Sequence, residues 1–285
     1  MAEGSAPTQV RAAGSNLDPQ QLKAASGRGV TFAARVGYFT HGLVYGLIGV
    51  LALMAALGSG GGVTDSRGVL HRIGEWGAPL LWIAALGLAC YAIWNVVRAL
   101  FDPEGIGARG KALFKRIGYA ASALTHVFLS IYAFQLARGA ANGGDGRRRT
   151  IAQVFDLPGG RILIGVVGLC IIAFGLAELY SAYKNRVGRE FYDSRLKADQ
   201  RRWVLVITRI GRAARGVVFP IIGISVIAAA FDANPGEAHS FGEALGELAS
   251  QPFGSLLLGI VAVGLVAYGT YQLLVAFFAR IAKPT

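Results

Sequence analysis

The chain has 285 residues, of which 54% are hydrophobic and 15% are charged, and its mean hydropathy is positive at +0.49. This composition is too apolar for an ordinary soluble domain of this length. The net charge of +12 would suggest nucleic acid in a soluble protein. Here the basic residues cluster at the ends of apolar runs, as in membrane proteins, so we expect no nucleic-acid partner.

The N-terminal segment, residues 1–29, has no apolar core of the kind found in secretory signals. We expect a largely disordered cytoplasmic tail. Asp18, Pro19 and Gly27 fit the N-cap, the first position and the end of one short cytoplasmic helix.

Six apolar runs follow, each close to the ~20 residues that a helix needs to cross a bilayer. They lie near 36–57, 79–99, 117–137, 162–183, 212–231 and 254–279. In the fifth run, Pro220 predicts a kink or a local break. Most of the 28 Lys and Arg residues flank the same side of these runs, which predicts that both the N- and the C-terminus are cytoplasmic.

Three sequence markers recur in the same order. Arg-aliphatic-Gly stands at 35–37, 116–118 and 209–211, directly before or at the start of the odd-numbered runs. A short amphipathic piece precedes each even-numbered run. Each even-numbered run then contains the pattern aromatic-small-x-x-polar, as "YAIWN" (91–95), "FGLAE" (174–178) and "YGTYQ" (268–272). The apolar residues of the amphipathic pieces should face the bundle or the outer leaflet; they are Leu70, Ile73, Val154, Phe155, Leu245 and Leu248.

The repeat predicts an all-α, polytopic membrane protein with six transmembrane helices in three parallel two-helix units. Units of two helices all enter from the same side, so we expect pseudo-threefold symmetry about the membrane normal. The first unit covers 30–102, the second 103–187 and the third 209–285. A basic interfacial link, 188–208, separates the second from the third.

These repeated units, with "RVG" or "RIG" ahead of the first helix, resemble a family of bacterial membrane proteins called domain of unknown function 1206. The segment "EALGELASQPFGSLLLGIVAVGLVAYGTYQL" at 243–273 carries the resemblance most strongly. It extends over about residues 30–283 and implies a six-helix protein of the bacterial inner membrane. It implies no activity and no catalytic residues.

Polar residues at membrane depth are the candidate binding residues. Asn95, Glu178 and Gln272 occupy one equivalent position in the three units, and they either bond neighbouring helices or line a solute site on the pseudo-axis. His41 and Arg215 share another position, and His126 lies about one turn deeper. Two imidazoles on different helices raise the possibility of haem, but these two positions are not equivalent, so packing histidines are favoured and we expect no cofactor or metal.

An unpaired carboxylate at membrane depth is costly, so Glu178 should have a partner. We predict a contact of Glu178 with Arg215 or with His126, and rank Arg212 third. A pair with either arginine would hold the second and third units together.

Basic residues near the cytoplasmic ends are candidate anchors to lipid headgroups: Arg35, Arg116, Arg209, Arg201 and Arg202. The stretch 184–215 interleaves Arg with aromatic residues, which predicts an interfacial helix on anionic phospholipid or a docking face for a membrane-protein partner.

Enzyme motifs are missing from the sequence, so we expect no enzyme. Two classes of function remain. One is a structural or accessory membrane component that organises lipid or a partner protein. The alternative is a small-solute or ion transporter or channel that uses a polar site on the pseudo-axis.

Overall fold

The computed structural model describes residues 19–103, 105–107, 109–140, 146–184, 191 and 196–279. Within these ranges the protein is built from helices joined by turns and loops. The helices are α1 (Pro19–Ala56), α2 (Ser66–Glu75), α3 (Ala78–Phe101), α4 (Lys111–Ala137), α5 (Gly146–Phe155), α6 (Gly160–Tyr183), α7 (Ala198–Asp232), α8 (Phe241–Ser250) and α9 (Gly254–Phe278), with a 3-10 helix (Pro235–Glu237) before α8.

Six of the described helices are long and apolar enough to cross a membrane: α1, α3, α4, α6, α7 and α9. They coincide with the six runs predicted from the sequence. The fold is therefore all-helical, with two candidate membrane-spanning helices in each of the three repeated units.

One local prediction is wrong. The first helix does not stop at Gly27, because α1 continues from Pro19 to Ala56. One glycine costs a helix only about 1 kcal/mol, which a helix of this length absorbs. At Pro220, for which the sequence predicts a kink or a local break, α7 continues as one helix, and a kink there stays a prediction. The proline ring lies beside Gly175 of α6, where an added Cβ would be 2.5 Å from the proline Cδ.

The basic link is also shorter than predicted, because residues 198–208 already belong to α7. Over those residues the predicted interfacial helix is continuous with a candidate membrane-spanning helix, and its contact with the lipid surface stays a prediction. Residues 185–190 and 192–195 of the link lie outside the described residues.

The long helices pack in a repeating order. The second long helix of each unit packs along the first of the next: α3 against α4, α6 against α7, and α9 back against α1. Within the first and third units, α1 also packs on α3 and α7 on α9. In the second unit, by contrast, the described parts of α4 and α6 make at most marginal contact. The second unit therefore departs from the pattern of the other two.

The amphipathic helices cover one end of the bundle. Leu70 of α2 and Leu245 of α8 are fully buried, and Ile73 and Leu248 pack against the same apolar clusters. Their N-termini are fixed by caps: Asp65 accepts hydrogen bonds from backbone N–H groups of α2, and Ser240 forms a capping box with α8. The prediction that their apolar faces meet the bundle is confirmed for α2 and α8, whereas Val154 and Phe155 of α5 are half-buried.

Candidate functional site

In two of the three units the marker glycine lets the two helices of the unit touch. A Cβ added at Gly37 would lie 2.6 Å from the backbone of Tyr91, and one at Gly211 would lie 2.5 Å from the backbone of Tyr268. The close approach predicted for this glycine is therefore confirmed in the first and third units. At Gly118, the equivalent position of the second unit, an added Cβ would meet nothing within 4 Å.

Two of the three marker arginines cap the last long helix of another unit. Arg35 donates hydrogen bonds from Nη1 to the carbonyl oxygens of Ala276 (2.5 Å) and Phe277 (3.0 Å), at the end of α9. Arg116 donates in the same way to the carbonyls of residues 99 and 100 at the end of α3, both at 2.8 Å. A cation at this place satisfies otherwise unbonded carbonyls and stabilises the helix dipole. These two residues thus link successive units, while headgroup contact remains a prediction for them, as it does for Arg209, Arg201 and Arg202.

Side chains from all six long helices meet in the interior of the bundle. We call this group the central cluster. It consists of His41 and Tyr45 (α1), Tyr91 (α3), His126 (α4), Phe174 (α6), Arg215 and Phe219 (α7), and Tyr268 and Gln272 (α9).

His41 lies at the centre of this cluster. Its ring stacks on that of Tyr91 with centroids 4.2 Å apart, and the side-chain amide nitrogen of Gln272 lies 2.6 Å from its Nδ1. The two side chains share one buried hydrogen bond, whose direction depends on the tautomer of His41. Because Gln272 belongs to the third unit and His41 to the first, this buried hydrogen bond links the last unit to the first.

His126 packs directly against the same rings. Its ring centroid is 5.0 Å from that of His41 and 4.6 Å from that of Tyr91, and its Nδ1 lies 2.7 Å from the backbone carbonyl oxygen of Ser122, to which it donates. Imidazoles packed this closely leave no space for a porphyrin between them. Among the described residues, no group of three or more His, Cys, Asp or Glu side chains is placed to hold a metal ion.

Arg215 is enclosed by aromatic rings. Its guanidinium carbon lies 4.3 Å from the ring centre of Tyr268 and 4.9 Å from that of Phe219, with Phe174 and Tyr45 at 5.5 and 5.6 Å, and its Nη1 donates to the Tyr268 hydroxyl. Away from water, such cation–π contacts contribute about 2 kcal/mol each or more. The rings therefore stabilise a cation at a depth where water is scarce.

Glu178 forms its ion pair with Arg212. The Oε2 of Glu178 and the Nε of Arg212 are 3.4 Å apart. The predicted cross-unit ion pair exists, but the residue ranked third is the one that makes it. Arg215 lies one turn further along α7, and its hydrogen bond goes to Tyr268 of its own unit instead.

The three aligned polar residues therefore have different partners. Gln272 bonds His41 of the first unit and Glu178 pairs with α7 of the third, so both join neighbouring units. Asn95 is buried as deeply, but its side-chain amide donates to the backbone carbonyl of Tyr91 on its own helix, at 2.9 Å.

The sequence profile of a known family matches the chain three times, at residues 36–102, 117–185 and 210–279, and its description reads "Domain of Unknown Function (DUF1206)". The chain belongs to this family. Each match begins one residue after a marker arginine, so the repeated unit of the family is the two-helix unit described above. The DUF1206 chain is also 35% identical over 246 residues to "Uncharacterized protein YxxB" of Bacillus subtilis (strain 168), covering 84% of this chain and 88% of that protein. No solved structure matches it.

Two features of this DUF1206 protein did not emerge from the sequence. One is the group of aromatic side chains around Arg215, for which the aligned Phe174 and Tyr268 were the signal in the sequence. The other is the position of Phe191, one of the aromatic residues in the stretch 184–215, which the sequence predicts to be an interfacial helix or a docking face. Phe191 is instead fully buried, in an apolar cluster with residues of α1, α3, α7 and α9, whereas Trp203 is exposed.

Proposed function

We propose that this DUF1206 protein is a non-enzymatic structural or accessory component of the bacterial inner membrane, which organises lipid or a partner protein. The observation that carries the proposal is the packing of the central cluster. His41, Tyr91 and His126 contact one another ring to ring, and Arg215 is packed between aromatic rings. A centre filled by contacting side chains supports a scaffold rather than a conduit.

Two cavities of the structure lie away from the central cluster. One cavity of about 160 Å³ lies between α1 and α2 and is lined by Leu47 and Arg72, among others. A second, of about 370 Å³, lies beside α7 and is lined by Ser225, His239 and Glu247, among others. Neither is lined by a residue of the central cluster.

The proposed orientation places the amphipathic helices outside and both termini in the cytoplasm. It rests on the positive-inside distribution of Lys and Arg. In this orientation Arg201, Arg202 and Arg209 lie at the anionic face of the cytoplasmic leaflet, where each basic residue contributes about 1 kcal/mol of attraction.

Ion or solute transport is the alternative function. The charged side chains Glu178, Arg212 and Arg215, within or at the end of spanning helices, are the observation that favours it, because ionisable groups there commonly mark pathways.

Reconstitution separates the two functions. Purified protein would be placed in vesicles loaded with a pH-sensitive dye. An H⁺ gradient would be imposed directly, and K⁺ and Na⁺ gradients would be imposed with a protonophore, so that cation flux through the protein drives a pH change. We expect the imposed gradients to decay as slowly as in protein-free vesicles. A known ionophore is the positive control. A flux that depends on the protein and disappears in Arg215→Gln would refute the structural function.

A further inference from the structure

The two long helices of the second unit are separated at the place where the other units are closed. In the first unit, a Cβ added at Gly87 of α3 would overlap Thr40 of α1. In the third unit, one added at Gly264 of α9 would overlap Ala214 of α7. The equivalent residues of the second unit, Ala121 and Cys170, are both exposed. We call this opening between α4 and α6 the second-unit seam.

One side chain that lines the seam is also smaller than its equivalents in the closed interfaces. Three residues after the aromatic marker, the first unit has Trp94 and the third has Tyr271, and both are buried. The second unit has Ala177 there, and it is exposed. The large side chain that fills each closed interface is therefore missing from the seam, and α4 has nothing of that size to pack against.

A lysine stands on the wall of the seam where the other units have small buried residues. The residue before the marker arginine is Ala34 in the first unit and Thr208 in the third, and both are fully buried. In the second unit it is Lys115, which is exposed and lies one turn before Gly118, on the same face of α4. Closing the seam on itself would bury this ammonium group in an apolar contact, which is unfavourable.

We propose that the second-unit seam binds an anionic phospholipid of the cytoplasmic leaflet. Its acyl chains lie along the small residues Gly118, Ala121 and Cys170, and its phosphate pairs with the ammonium of Lys115. A second exposed lysine, Lys184, ends α6 at the same side of the membrane and adds to the positive potential there. This inference rests on the proposed function, because it names the lipid that the scaffold would hold and the orientation that places Lys115 in the cytoplasmic leaflet.

Charge complementarity favours a lipid over a second protein as the occupant. A lipid supplies an anion and flexible apolar chains in one molecule, and it is present at high concentration around every membrane protein. A helix of a second copy would have to bring a carboxylate to the depth of Lys115. Among the described residues of the long helices, Glu178 is the carboxylate nearest to that depth, and it is already paired.

Native mass spectrometry tests the headgroup contact. The full chain would be released from nanodiscs of phosphatidylcholine and phosphatidylglycerol in equal amounts, and retained phosphatidylglycerol would be counted. We expect Lys115→Gln to reduce retention about fivefold, as the loss of one lysine–headgroup attraction implies, and Lys115→Arg to preserve it. Arg138→Gln is the matched control, because it removes one exposed charge from the other end of the same helix.

A second pair of variants tests the acyl-chain groove. Cys170→Trp should fill the seam and displace the lipid, whereas Leu169→Trp adds the same side chain at an exposed neighbouring position and should not. Unchanged retention in both Lys115→Gln and Cys170→Trp, or an equal loss in the two controls, overturns the proposal.

Disulfide trapping distinguishes an occupied seam from a closed one. In a Cys90→Ala background, Ala121→Cys can be oxidised against the native Cys170. We expect slow disulfide formation in bilayers that contain phosphatidylglycerol and faster formation in phosphatidylcholine alone. Rapid formation in both bilayers, or crosslinking of Cys170 to another protein in native membranes, overturns the lipid assignment. The vesicle flux experiment is independent of these lipid-binding tests. If the lipid-binding tests fail, the proposed structural function is not refuted, and a protein-dependent flux would not change the number of retained lipids.

Discussion

Replacing the marker glycine by alanine should have opposite effects in different units. In Gly37→Ala, the new Cβ would lie 2.6 Å from the Cα and the backbone nitrogen of Tyr91, so α1 and α3 must move apart. Overpacking of this kind costs about 1–3 kcal/mol. The shift would also disturb the stacking of Tyr91 on His41 and with it the central cluster. Gly211→Ala meets Tyr268 in the same way and should cost a similar amount.

Gly118→Ala is the matched control, because the same atom enters open space. Alanine is the better helix former by about 0.5–1 kcal/mol, so this variant should be neutral or slightly stabilised. Thermal unfolding of the three purified variants in one detergent is the assay, with a lower Tm expected for Gly37→Ala and Gly211→Ala only. An equal fall in all three would mean that α4 and α6 also pack closely, which would refute the open second unit.

Three further predictions concern the ion pair, the topology and a loop. Glu178→Gln and Arg212→Gln should each destabilise the protein, and the double variant should recover about 1–3 kcal/mol of the summed loss; additivity within about 0.5 kcal/mol would show that the pair contributes nothing. In a background without native cysteines, Ser59→Cys should react with an impermeant maleimide added to intact cells and Thr285→Cys only after permeabilisation, and the reverse pattern would invert the topology. Backbone N–H groups of the loop after α3 lower the pKa of Asp102, so the charged form is favoured by folding. The contribution of charged Asp102 to the stability of the folded state is complete above the ordinary Asp pKa of about 3.9, and it is lost as pH falls through the lower pKa of the folded state. The difference in Tm between the wild type and Asp102→Asn should therefore shrink on acidification from pH 7 to about pH 3, and a constant difference would contradict the assignment.

Much of the fold could be predicted because the patterns that determine it lie in short segments of each unit. Apolar runs of membrane-spanning length fix the six long helices, and the repeated markers fix the register of the units. The glycines of "RVG" at 35–37 and "RIG" at 209–211 indicated close helix contact, which the structure shows. The amphipathic pieces were equally visible, because the spacing of Leu70 and Ile73, or of Leu245 and Leu248, places each pair on one helix face.

The candidate site could be predicted only in part. Sequence alignment of the units showed that Glu178 and Gln272 reach a similar depth and need partners. It did not show which partner each one takes, because Arg212 and Arg215 are both within reach from neighbouring turns of one helix. The choice depends on Tyr268, whose ring and hydroxyl hold Arg215 and leave Arg212 to the carboxylate.

The sequence by itself determined that this is a membrane protein of three two-helix units, because hydrophobic length and repeated spacing are properties of short segments. Only the tertiary structure decided that the units are not equivalent. Gly118 carries the same marker as Gly37 and Gly211, yet α4 and α6 remain apart, because closure also needs the partner face, and that face has Ala177 in place of an aromatic residue and Lys115 opposite it. Whether two helices touch depends on both surfaces at once, and no single segment of the chain contains that information.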